Sequence, residues 1–326
     1  MTVEPRGLTC ASYSALGLPV ALQTAKTAAA AGFGSFWAAE TTGPEAFTLL
    51  SAAGAAEPSL ALGTGIVPIQ FRTPQTVAMA AATLQALQPD RDIHIGIGVS
   101  SPIIVEQWHG AAASDRPLAQ LREYVTLLRA CWSGEPVDFA GEFYQCRGFR
   151  LGVRLGERKP KVVLGALNPR MLRLAGEIAD GVLLNYIPAS HVPWSVEQVR
   201  AGGNATIYGY VHLGVAERNE TTDKLARRDL YSYASAPGYR RNFARAGYES
   251  EMATFEAARA DRSRDGAIAA ISDRMINEID IVGDAATVRA AWQSYVDAGI
   301  EHPILMPLPW GPDRLETILA TIEALS

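Results

Sequence analysis

Short apolar segments alternate with longer helical segments along the whole chain, and this alternation constrains the fold more than any other feature. Strand-like runs are read at 7–13, 35–39, 60–67, 93–99, 161–164, 181–184, 206–215 and 302–306. Helical runs are read at 20–31, 45–55, 76–87, 103–108, 117–132, 170–179, 285–298 and 313–325. Short buried strands separated by helices build a parallel sheet with both faces covered. Eight such units close that sheet on itself. The expected fold class is α/β, a (β/α)8 TIM barrel, with residues 1–326 as one domain. Two stretches break the rhythm and read as insertions after strands 4 and 7. The first, 133–159, is rich in Gly and Arg and holds a hairpin-like pair; the second, 217–273, is charged and helical in pattern.

Composition narrows the function classes. Hydrophobic residues make up 48% of the chain and charged residues 19%, enough apolar mass for a large core and too little charge for disorder. A net charge of −5 gives no footprint for general nucleic-acid binding. The start, MTVEPRGLTC, lacks a basic segment followed by an apolar one, and no apolar run reaches the length of a membrane span. Three widely spaced cysteines fit reduced thiols better than a disulfide framework. The expectation is a cytoplasmic protein that binds a small-molecule substrate, with neither nucleic acid nor membrane as partner.

Several familiar chemistries are missing. The five histidines show no metal-ligand spacing, Cys-x-x-Cys is absent, and no metal site is expected. There is no Gly-x-Ser-x-Gly elbow and no Walker A loop. His94 and His212 lie inside strand patterns and His302 just before the last strand, so all three read as satisfied barrel histidines.

What remains sits at strand ends, where a barrel carries its active face. Gly63-Thr64-Gly65 and Gly96-Ile97-Gly98 place glycine where backbone can approach a flat ring or a phosphate, although tight βα turns have the same pattern. Gly165-Ala166-Leu167-Asn168-Pro169-Arg170 follows strand 5 and opens a helix, with Asn168 placed as N-cap and Pro169 at the first helical position. The free amides and dipole of such an end suit an anion, and Arg170 adds charge; an ordinary capped helix is the alternative. Between residues 140 and 173, eight basic residues (Arg147, Arg150, Arg154, Arg158, Lys159, Lys161, Arg170, Arg173) face only Glu142 and Glu157. That window suggests a polyanionic ligand, or else solvated surface arginines.

Longer runs carry a resemblance. AGFGSFWAAE (31–40), LGTGIVPIQFRTP (62–74), ATLQALQPDRDIHIGIGVS (82–100), PLAQLREYVTLLRACWSGEPVDFAGEFY (117–144) and VGDAATVRAAWQSYVDAGIEHPILMP (282–307) resemble the luciferase-like monooxygenase superfamily. LGALNPRMLRLAGEIADGVLLN (164–185) resembles its deazaflavin-dependent branch, which uses coenzyme F420. The resemblance covers most of the chain apart from 217–273. It implies an F420-dependent oxidoreductase, with an FMN-dependent monooxygenase on the same barrel as the alternative. A third reading, a cofactor-binding protein without catalysis, stays open because few ionisable side chains stand at the strand ends.

By that resemblance the cofactor phosphate meets Gly98, Val99, Ser100 and Ser101 after strand 4, and Gly165, Ala166, Leu167, Asn168, Pro169 and Arg170 after strand 5. The ring rests on a bulge at Gly65 and Ile66, joined by a non-prolyl cis peptide, and an oligoglutamate tail reaches the basic window. Glu40 and Thr41 face the ring from the substrate side, and hydride passes between substrate carbon and C5 of the deazaflavin. The family habit is a homodimer. Two departures stand out: Thr41 replaces the histidine that the family's dehydrogenases place after the strand 2 acid, and Ser101 replaces a glutamate. Proton transfer without histidine is therefore expected. Glu40, ending an apolar strand at the barrel face, is the leading acid–base candidate; its alternative is to cap the following turn or pair with an arginine.

Overall fold

The computed structural model describes residues 6–326; residues 1–5, within the start read above for a signal sequence, lie outside the described residues. Eight strands close a parallel barrel: β1 (Gly7–Thr9), β2 (Ser35–Ala38), β3 (Ala61–Thr64), β4 (Ile93–Gly98), β5 (Lys161–Gly165), β6 (Gly181–Leu184), β7 (Thr206–Val215) and β8 (His302–Pro307). Each pairs with its successor, and β8 pairs back onto β1 with Ile304 opposite Gly7. The helices α1 (Leu18–Ala30), α2 (Ala46–Ala56), α3 (Pro74–Leu87), α4 (Pro117–Cys131), α5 (Pro169–Ile178), α6 (Val192–Arg200), α7 (Ala285–Asp297) and α8 (Arg314–Ala324) follow the strands in order. Local chemistry fixes several of their starts. Glu45, Thr73, Asp284 and Asp313 accept from the backbone amides of Thr48, Thr76, Thr287 and Glu316, satisfying donors that a helix end leaves open.

Strand alternation sorts the side chains into two cores. Leu8, Phe36, Leu62, Ile95, Ile97, Val162, Leu164, Ile207 and Leu305 point outward and pack under the helices. Trp37, Val163, Leu183, Tyr208, Tyr210, Ile304 and Met306 fill the barrel. Gly63 makes room for this filling, since a Cβ there would lie 2.4 Å from the Trp37 ring. Beneath sits a polar layer. Trp37 Nε1 donates to Ser35 Oγ at 2.9 Å, Ser35 Oγ meets His302 Nε2 at 3.0 Å, and Trp37 stacks on His94 at 5.2 Å. Burial pushes His94 down to about 3 and His302 to about 4, so both are neutral structural groups.

Three elements differ from the sequence reading. Strand 1 stops at Thr9, because the amide of Tyr13 turns back onto the Cys10 carbonyl and a short 3-10 turn, Ser14–Leu16, follows. Strand 3 is interrupted after Thr64, and Val67–Pro68 pairs separately with the end of β4. Helix α6 is absent from the helical runs read above; Pro193 falls in its first turn, where its missing N–H costs nothing. Both insertions lie where expected. The hairpin Val137–Ala140 with Gln145–Phe149 precedes β5. Five α-helices and a π-helix between Glu220 and Glu278 lead to the strand Asp280–Gly283, which pairs with the upper half of β7.

Candidate active site at the C-terminal mouth

The interruption of β3 builds the floor of the mouth. The Gly65–Ile66 peptide is cis, as the resemblance implied. The Gly65 amide donates to Ala38 O at 2.8 Å, Ile66 O accepts from the Glu40 amide at 3.1 Å, and Tyr210 Oη donates to Gly65 O at 2.8 Å. The Ile66 side chain lies over the two neighbouring strand ends, where a Cβ on Gly98 or Gly165 would come within 3.3 or 3.1 Å of it. A half-buried apolar side chain thus projects at the barrel centre, carried by backbone that strands β2 and β7 hold in place.

Glu40 leaves β2 directly beside this floor, and its carboxylate is fully engaged. Arg72 grips it with both guanidinium nitrogens at 2.6 and 2.7 Å, and Glu40 Oε1 also accepts from the amide of Ala46 at 3.0 Å. Arg72 reaches Glu45 as well, and hydrogen bonding to Glu40 holds its guanidinium above the ordinary range. The turn-capping and arginine-pairing alternative is therefore the one the geometry favours over a free acid–base carboxylate. Thr41 is exposed on the same loop. Its carbonyl lies 2.6 Å from His109 Nε2, and the His109 ring packs on Phe71 with centroids 4.1 Å apart. Glu40, Thr41, Pro44, Phe71, Arg72 and His109 share a pocket of about 370 Å³.

Two loops complete the mouth. Gly98, Val99, Ser100 and Ser101 run from β4 into the one-and-a-half-turn π-helix Ile103–Trp108, with Ser101 Oγ accepting from the Ile104 amide at 3.4 Å. Gly165, Ala166 and Leu167 lead to α5, where Asn168 occupies the N-cap in extended conformation and Pro169 opens the helix. The Asn168 side chain makes no cap hydrogen bond, contrary to its expected role. The amides of Arg170 and Met171 consequently donate to no described residue, and the helix end stays open. Gln70, next to the Ile69 amide that binds Gly98 O, has both amide atoms buried and unpartnered.

The basic window does not gather here. Lys161 begins β5 and, with Arg158, pairs with Asp92 just before β4, at the opposite end of the barrel. Arg154 and Lys159 line the same lower groove. Arg173 donates to Gln198, Arg147 lies on the hairpin strand Gln145–Phe149, and Arg170 stands in the first turn of α5 at its open end. Sequence proximity misleads because a strand carries residues at its two ends to opposite faces.

A buried polar network joins the barrel to the second insertion. His212 of β7 meets Asp280 Oδ1 through Nδ1 and Asn185 Oδ1 through Nε2, both at 2.9 Å. Tyr186, at φ 50, packs its ring on His212 and donates its hydroxyl to Asp229 at 2.7 Å. Sequence spacing gave no hint of this His212–Asp229–Asp280 group, whose ligand-type atoms lie within 4.8 Å of one another. Burial, then the adjacent Asp280, raises Asp229 to about 7; burial raises Asp280 far above the ordinary range and lowers His212 to about 4. Two buried carboxyls so placed resist ionising together.

The model of the luciferase-like monooxygenase family matches residues 7–302. The chain belongs to this family. An inferred coenzyme F420-dependent oxidoreductase of Mycobacterium tuberculosis is 31% identical over 298 residues, covering 83% of this chain and 85% of that protein. The coenzyme F420-dependent tetrahydromethanopterin reductase of Methanopyrus kandleri superposes with a TM-score of 0.77 at 20% identity, over 98% of this chain and 97% of that one. An F420-dependent secondary alcohol dehydrogenase in complex with an F420-acetone adduct gives a TM-score of 0.72 at 19% identity, over 99% of each chain. These two likenesses establish the shared luciferase-like barrel. Among the described residues no helix is long and apolar enough to cross a membrane.

The luciferase-like family signature was legible in the sequence, but Arg72, His109, Gln70 and Tyr210 were not singled out. Arg72 stood within the quoted run 62–74 and carried the one usable signal, an arginine just past the strand 3 bulge.

Proposed function

We propose that this protein is an F420-dependent oxidoreductase acting on a small organic substrate. The observation that carries the reading is the pairing, at one mouth, of an apolar support at Ile66 with an open helix end at Arg170 and Met171. A planar ring joined to a phosphate needs both. Ile66 and the Gly65 backbone would support the ring, while Ser100, Ser101, the α5 amides and Arg170 would hold the phosphate. The buried, unpartnered amide of Gln70 is a polar group that a ligand edge would satisfy. When bound, the deazaflavin supplies a carbon, C5, that takes or gives a hydride; the protein supplies position and electrostatics. Preference for F420 over FMN rests on the similarity that spans 83% of the chain, since the basic window lies largely at the other end of the barrel.

Equilibrium titration of the apoprotein with F420 and with FMN, at several salt concentrations, tests the proposal. Tighter binding of F420, weakening with salt, is expected. Equal affinity, or tighter binding of FMN, overturns it.

A further inference from the structure

The buried network that joins the barrel to the second insertion gathers acceptors with no donor among them. Asn185 fixes the ring of His212. Its Nδ2 donates to Tyr239 Oη at 3.3 Å, so its Oδ1 faces His212 Nε2, 2.9 Å away, and accepts from it. Burial keeps the imidazole neutral, so Nδ1 holds a lone pair, and this lone pair faces Asp280 Oδ1 at 2.9 Å. Asp280 is 2% exposed, and its second oxygen, Oδ2, is buried and unpartnered. Asp229 accepts from Tyr186 through Oδ2, which leaves its Oδ1 for the group. Among the described residues no lysine or arginine pairs with either aspartate.

Something positive has to sit among these atoms, because two carboxylates cannot stay ionised out of water without a counter-charge. One divalent cation supplies it in full. The surroundings are those of a metal-binding histidine and its partners. A ligating imidazole commonly donates its other N–H to an oxygen, as Nε2 does to Asn185, and a ligating carboxylate is itself hydrogen-bonded, as Asp229 is by Tyr186. The three ligand-type atoms lie within 4.8 Å of one another. Bonds of about 2.0–2.2 Å to a tetrahedral ion need only a contraction of about 1–1.5 Å at the widest pair. Asp229 is half-buried, which gives an ion access.

We propose that His212 Nδ1, Asp229 and Asp280 form a structural site for a divalent transition-metal ion, with zinc as the best match to one imidazole nitrogen and carboxylate oxygens. The ion would tie β7 to the insertion helix Glu220–Ala234 and to the strand Asp280–Gly283, fastening the insertion to the barrel. No ligand spacing marks such a site in the sequence, since each ligand comes from a separate element. In the metal-free protein protons take the place of the ion on the same atoms.

The whole protein, stripped with a chelator and re-equilibrated with zinc, tests the site. Elemental analysis should find about one zinc per chain, held with a Kd below about 1 µM, and zinc should raise Tm by about 5 °C or more. Millimolar magnesium should not displace it. Zinc-edge X-ray absorption should show one imidazole with oxygen ligands only, at about 2.0–2.2 Å. Asp229→Asn and Asp280→Asn each resemble the protonated carboxyl in shape, so both should fold like the metal-free wild type yet bind zinc at least about a hundredfold more weakly. His109→Ala, at the one exposed histidine, should keep the zinc. No retained zinc, a sulfur ligand in the absorption spectrum, or wild-type zinc affinity in Asp229→Asn overturns the site. Loss of zinc in His109→Ala alone overturns it as well, by moving the ion to the surface.

Discussion

The phenol of Tyr210, on β7, donates across the barrel to the carbonyl of Gly65 at 2.8 Å, tying the floor of the mouth to the opposite wall. Burial holds this phenol well above its ordinary range, so it stays a donor at every working pH. A Cβ on Gly65 would lie 1.9 Å from that oxygen. Gly65→Ala is therefore expected to displace Tyr210 and lose F420 binding, at a stability cost of about 1–3 kcal/mol. Tyr210→Phe alone should cost about 1–2 kcal/mol through the unpaired carbonyl. In the double variant part of the clash is gone, so denaturant titrations should show a combined loss smaller than the sum. Strict additivity would mean the two residues are not coupled.

Glu40 serves as a brace in this geometry. Its side chain is 9% exposed, and Arg72 keeps Glu45 as a second partner if Glu40 is altered. Glu40→Gln is expected to lower stability by about 1–3 kcal/mol, measured by thermal or urea unfolding. The shape of the turnover pH profile should survive. Loss of a pH limb in Glu40→Gln would return the acid–base role to Glu40.

Basic residues at the two ends of the barrel should behave differently. Arg170→Ala, at the open end of α5, is expected to weaken F420 binding about five- to tenfold and to reduce its salt dependence. Arg158→Ala and Lys161→Ala break half-exposed pairs with Asp92 and should leave F420 affinity unchanged. Their effect on stability should be about 0–1 kcal/mol. A comparable loss of F420 affinity in all three would contradict the separation of the two sites.

The His212–Asp229–Asp280 network makes stability depend on pH. Asp229 titrates near 7 in the folded protein and near 3.8 when unfolded, so between these values the folded state holds more protons. Its contribution is fully present below about pH 4 and is lost as pH rises through 7. Melting temperature should fall between pH 5 and 8 in the wild type by more than in Asp229→Asn, which carries no titrating group there. Equal slopes in the two proteins would show that Asp229 is ionised throughout.

The sequence by itself determined the barrel, the two insertions and the strand-end glycines. Those features are local: the spacing of apolar residues dictates strand or helix, and a glycine beside a strand end reports a close backbone approach whatever packs against it. It also determined that Gly98 to Ser101 and Gly165 to Arg170 leave adjacent strands, β4 and β5, on the same face. Tertiary structure alone decided the pairings between side chains far apart in sequence. Glu40 meets Arg72, His109 meets Thr41, and His212 meets Asp280 and Asn185 across separate elements, and no spacing rule encodes such contacts. The basic window shows the converse. Its residues are neighbours in sequence, yet strand β5 spans the barrel wall, so Lys161 enters at one face while Arg170 stands at the other. Charge is a property of the residue, but its field acts through space, and the fold alone sets that distance.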